Sequence, residues 1–156
     1  MPGQISWLVK NRVVVLKYMG NVVIEELEKI AEVGNPLIES SDVPLVHVII
    51  DETEMTDHPR NVIQTIKVMN STLSHPKLGW LIFIAIPNEI IALVTKMALG
   101  AARTRHQVVN TYEEASRTLM DVDSTLQAFA PLDIQHGSIL LYEINGSDLI
   151  SHAIPD

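Results

Sequence analysis

Two apolar runs, QISWLV and RVVVLKY, flank Lys10-Asn11 at the start of the chain. Two connecting residues with Asn second predict a tight hairpin, because Asn tolerates positive φ. Val13 to Leu16 is apolar without alternation, which predicts a strand covered on both faces. Beyond Gly20, the apolar residues Ile24, Leu27, Ile30 and Ala31 recur at helical spacing, with Glu25, Glu26, Glu28 and Lys29 opposite. Asn21 stands where its side chain would accept from the free amides of that helix. Gly34-Asn35-Pro36 predicts an end or kink, with a short second piece through Ser41.

From Leu45, LVHVIID reads as a short central strand, and Pro59 suits the first position of a helix with the stripe Val62, Ile66, Met69 and Leu73. GWLIFIAI is the next buried strand. From about Asn88, Ile90, Val94, Met97 and Ala101, joined by Ile91 and Ala98, form a broad apolar helix face. HQVVN is a short strand, and TYEEASRTLMDV a helix with Thr111 and Glu114 in capping-box spacing. Strands alternating with helices in this way imply parallel crossovers. The predicted fold is therefore α/β, a mixed and mostly parallel sheet that begins with a hairpin and carries flanking helices. Residues 1–126 form the predicted domain. Residues 127–156 form a C-terminal extension with one more strand at 138–144, which either caps a sheet edge or pairs with another subunit.

Composition narrows the function. Among 156 residues, 47% are hydrophobic and 19% charged, as in an ordinary globular chain. The net charge of -8 argues against nucleic acid, whose backbone needs a clustered positive surface. Arg103 and Arg105 near His106 sit where the preceding helix ends and suit its C-terminal dipole. With no cysteine, disulfides, thiolate nucleophiles and cysteine-held metals are excluded, and a cytoplasmic address is expected. The longest apolar stretch is broken by Pro87, Asn88 and Glu89, so neither half spans a bilayer and no membrane insertion is expected.

The densest candidate chemistry lies in HVIIDETEMTDHPRN. Asp51, Glu52, Glu54 and Asp57 place four carboxylates within seven residues, attractive to a hard cation. The calcium-loop pattern, however, needs a central glycine and a terminal bidentate Glu, and both are missing. Three readings stay open: Asp51 accepting amides at a strand end with the rest solvated or capping, a partner or ligand contact, and a metal or catalytic site. Ligands of open α/β sheets bind beyond the carboxyl ends of strands, which points to this loop and to Asn88-Glu89. His47, alone among apolar neighbours, reads as a neutral core residue with hydrogen-bonded ring nitrogens. The six histidines form no i, i+4 pair, the serines lack a nucleophile elbow, and the lone glycines cannot cradle a phosphate. No metal or cofactor is expected.

The linked pattern VVVLKYMGNVVIEELEKI, VHVIID with its loop, HPKLGWLIFIAI and VVNTYEEASRTL resembles the SpoIIAA-like family of STAS (sulfate transporter and anti-sigma factor antagonist) domains, from about Val13 to Leu126. The resemblance implies a mixed sheet with flanking helices, frequent homodimers, distant fold kinship to lipid-carrying CRAL-TRIO domains, and no enzymatic activity. In anti-sigma antagonists of this group, a strand-terminal Asp precedes a loop whose phosphorylatable Ser, after an Asp, starts the next helix. Asp51 matches the first position and Asp57 the second, but His58 stands where the Ser belongs. Thr53 and Thr56 offer hydroxyls in a different register.

These observations together predict a non-enzymatic STAS-like regulatory or scaffolding module, a homodimer with an unknown protein partner. The contact residues would be Asp51, Thr53, Thr56, Asp57, His58, Asn88 and Glu89. The first alternative is a carrier or sensor of a hydrophobic small molecule or lipid, suggested by the apolar helix Ile90–Ala102. A hydrolase using the acidic loop ranks last, since no nucleophile has a base beside it.

Overall fold

The apolar runs become the strands of one sheet in the computed structural model, which describes residues 3–85, 92, 96, 100 and 103–152. The elements in chain order are β1 (Gly3–Val9), β2 (Val13–Asn21), α1 (Ile24–Glu39), β3 (Val46–Asp57), α2 (Val62–Leu73), β4 (Leu78–Ile84), β5 (His106–Val109), α3 (Tyr112–Val122), a 3₁₀ helix (Ser124–Phe129), β6 (Ile139–Asn145) and β7 (Asp148–Ser151). The seven strands run in the order β5-β4-β3-β2-β1-β6-β7. Pairing is parallel from β2 through β5 and antiparallel on the other side, β2 to β1 to β6 to β7. The α/β class and the mixed sheet are those the order of elements predicts. The predicted Asn88–Ala102 helix falls almost wholly outside the described residues.

Both faces of the sheet are covered. Val14, Leu16, Val48, Ile50, Leu81 and Phe83 pack toward α1 and α2, while Val13, Val15, Ile49, Ile82 and Ile84 pack with Leu119 of α3 and Leu126. Consecutive residues of β2 thus enter opposite cores, which is why its pattern does not alternate. Asn11 holds the β1–β2 turn at φ 65, as its identity predicts, though Arg12 also belongs to the turn and bonds back to the Val9 carbonyl at 3.0 Å.

Four local expectations are corrected. The first is α1, which does not end at Gly34-Asn35-Pro36 but runs on to Glu39 with Pro36 inside its last turn. The second is its cap: Asn21 belongs to β2, and Glu26 Oε1 accepts instead from the Val23 amide at 3.0 Å, which buries Glu26 rather than exposing it. Third, α2 begins after Asn61, whose Oδ1 accepts from the Gln64 amide at 3.0 Å, so Pro59 lies before the helix. Fourth, the C-terminal extension carries two strands rather than one: β6 adds to the sheet edge at β1 of its own chain, the first of the two alternatives, and β7 follows it through a turn at Gly146.

Candidate functional site

The acidic segment is strand, not loop. β3 continues through Asp57 because β2 accompanies it, and two bulges absorb the mismatch. Between the pairs Lys17–Asp51 and Met19–Glu54, β3 spends one more residue than β2, and it does so again between Gly20–Met55 and Asn21–Asp57. Each extra residue resets which face the next side chain takes. Ahead of the first shift, Asp51 and Glu52 keep the ordinary strand alternation and point to opposite sides of the sheet.

On the α3 side, Asp51 is buried and fully engaged. Its Oδ1 accepts from the Thr53 amide at 3.0 Å and the Thr53 hydroxyl at 2.7 Å, and its Oδ2 accepts from the Tyr112 hydroxyl at 2.7 Å. Tyr112 begins α3, whose cap forms as the Thr111–Glu114 spacing predicts, with Thr111 Oγ1 accepting from the Glu114 amide at 3.1 Å. Burial, together with the bond to Asp51 and its charge, pushes the Tyr112 phenol up despite the opposing bond to Thr53. Lys17 pairs with Glu54, and that hydrogen bond raises the Lys17 pKa against the opposing effect of burial. Lys17, Asp51 and Tyr112 border a cleft of about 150 Å³ that reaches Gln4 and Ser6 of β1. Removing the phenol is expected to matter modestly. Tyr112→Phe should cost about 1–2 kcal/mol, because a charge-assisted bond is lost. A denaturation midpoint equal to wild type would show that this bond is idle.

On the α1/α2 side, Glu52 is buried at 5% exposure, and its Oε2 has no hydrogen-bond partner among the described residues. Burial, then the Asp51 charge, pushes its carboxyl up to about 7. It lines a pocket of about 50 Å³ with Tyr18, Val22, Met55 and Phe83, and the half-buried His58 and Pro59 border the same pocket. Tyr18 is buried as well, and burial and the Glu52 charge raise its phenol.

A third feature is an open surface cleft of about 360 Å³ between the starts of α1 and α2, bordered by Asn21, Glu25, Asp57, His58, Arg60 and Gln64. Asp57 Oδ1 accepts from the His58 amide at 2.9 Å, and His58 Nδ1 lies 2.8 Å from the Pro59 carbonyl. Ile63, in the first turn of α2, is 71% exposed, the most of any large apolar side chain among the described residues.

The predicted contact residues thus separate. Asp57 and His58 share the open cleft, Asp51 and Thr53 are tied to α3, and Thr56 is exposed on β3. Asn88 and Glu89 lie outside the described residues. Among the described residues, no group of three or more His, Asp or Glu side chains is arranged to hold a metal ion. Also among them, no helix is long and apolar enough to cross a membrane. Sequence reasoning missed Lys17 and Tyr112 as members of sites, and it counted Glu52 among the four clustered carboxylates without placing it among the contact residues. For Glu52 a signal existed: Val48 and Ile50 alternate onto the buried α1/α2 face, and position 52 continues that series.

No family profile matches the chain, and no curated protein matches it. Solved structures do. One is an uncharacterized protein from the DUF3478 family with a SpoIIAA-like fold, from Shewanella loihica PV-4 (TM-score 0.53, 14% identity, 69% of this chain and 83% of that one). Another is the Bacillus cell fate determinant SpoIIAA in its phosphorylated form (TM-score 0.52, 17% identity, 75% of this chain and 98% of that one). The protein has a SpoIIAA-like, STAS-type fold.

Proposed function

We propose that this chain is a non-enzymatic regulatory or scaffolding module of the cytoplasm that acts through protein contacts and self-associates as a homodimer. The observation that carries the reading is the cleft between α1 and α2, bordered by Asp57, His58 and Arg60, with the exposed Ile63 in the first turn of α2. Charged groups at an open cleft and an exposed apolar side chain on the same helix end suit a contact surface. The fold supports it, since the Bacillus neighbour is a cell fate determinant. Self-association draws support from β7, an edge strand exposed along its length with Leu149 and Ile150 on it. The test is co-purification with wild type and with a double variant, Asp57→Lys and His58→Glu. Wild type is expected to retain a defined partner that the variant loses, and an unchanged set of partners would remove this cleft from the reading. Native mass spectrometry of the same material reads the dimer directly.

A second reading, carriage or sensing of a hydrophobic small molecule, is supported by the apolar pocket beside Glu52. Its volume of about 50 Å³ suits a small molecule's head, and it is far below the several hundred Å³ of ordinary ligand pockets, so a long-chain lipid is disfavoured.

A further inference from the structure

The pocket beside Glu52 has a neighbour. A second compartment of about 40 Å³ lies on the same sheet face and shares Tyr18, Leu27, Ile50 and Met69 with the first. Its other walls are almost wholly apolar, among them Leu16, Ile30, Val48 and Leu81. The two compartments adjoin across those four shared side chains, and the first of them holds the one carboxylate.

That carboxylate is the unexplained part. Glu52 is buried among Tyr18, Met55 and Phe83, and its Oε2 has no partner among the described residues. An uncompensated buried acceptor is costly, more so when charged, and an apolar residue of similar size would avoid that cost. Among the described residues that line the pocket, His58 at its border is the only basic side chain, and the wider surroundings are acidic. Asp51 lies next in the chain and opposes ionisation of Glu52, and the formal net charge of the protein is -8. An entering anion would be repelled, whereas a cation would supply both a charge partner and hydrogen-bond donors. The aromatic rings of Tyr18 and Phe83 in the same wall favour a cation further.

We propose that this paired pocket binds a short primary alkylammonium ion, its head against the Glu52 carboxylate and its tail in the second compartment. The proposal rests on the small-molecule reading above. An ammonium carries three donors, enough to satisfy Oε2 with donors to spare. The narrow second compartment limits the tail to a few carbons.

The test is an NMR titration of the full chain at pH 7.5 with n-butylamine, 1-butanol and butyrate, following the Met55 and Met69 methyls and the Glu52 side-chain carboxyl. Butylamine is expected to shift all three resonances and to bind at least about ten-fold more tightly than 1-butanol, with butyrate weakest. In Glu52→Gln that ten-fold preference should vanish while the methyl shifts persist. Equal affinity for amine and alcohol in wild type would overturn the ammonium assignment yet leave the small-molecule reading standing. An amine preference that survives in Glu52→Gln would also overturn it, by placing the amine elsewhere. Methyls unmoved by any of the three compounds would bring down both.

Discussion

Glu52→Gln is expected to stabilise the protein by about 3 kcal/mol above pH 7 and to change it little below pH 4. Unfolded, this carboxyl titrates near 4.5, whereas in the folded chain burial and the Asp51 charge push it up to about 7. Between those values the folded state keeps a proton that the unfolded state has released. Rising pH therefore favours unfolding across that window. The loss is complete above about 7, where both states are ionised and the folded one carries an unpaired buried charge. Gln keeps the shape and carries no charge at any pH, so the variant should lack this slope. Because other groups titrate in the same range, the quantity to measure is the difference between wild type and variant, from urea unfolding at several pH values. Two parallel stability curves would show that Glu52 reaches water or a partner and would remove the buried-carboxylate account.

How much of this was legible beforehand depended on what decided each element. The strands β1, β2 and β4 are written as apolar runs, because both sheet faces are buried and each residue answers to a core. The end of β3 is not so written. Its apolar run stops at Ile50, and what carries the strand on to Asp57 is pairing with β2 through two bulges, a relation between distant segments. β7 is short and exposed along its length, so Leu149 and Ile150 make no buried or alternating pattern, and the strand exists because β6 offers it an edge. Charge predicts exposure, which sets Glu26 on the polar face of its helix and leaves solvation as one of the three readings of Glu52. Glu26 is buried because its carboxylate caps its own helix, and Glu52 because strand alternation sends it inward. The Asp51–Tyr112 bond joins residues 61 apart, and no local pattern announces it.

His47 answers the same question in the opposite sense, since its neighbours alone mark it as a core histidine whose ring nitrogens must find partners. Nδ1 accepts from the Trp80 amide at 3.0 Å, which leaves Nε2 to donate to Asp123 Oδ2 at 2.9 Å. One ring thereby ties β3 to β4 and to the end of α3. Position 79 permits the approach, because a Cβ there would sit 2.4 Å from Nδ1. His47→Leu is expected to cost about 3 kcal/mol, although Leu roughly fills the volume, because the Trp80 amide and the Asp123 carboxylate each lose a partner. Asp123 supplies the check. Burial works against its charge, but the bonds from Thr125 and His47 outweigh it and hold the carboxyl below its ordinary 3.8. A depressed carboxyl contributes stability that is present above its unfolded value and lost as pH falls through its folded one. Without His47 that contribution shrinks, so the gap between wild type and variant should narrow in acid. A cost under about 1 kcal/mol, or a gap that stays constant down to pH 3, would mean that packing rather than these two bonds gives His47 its place.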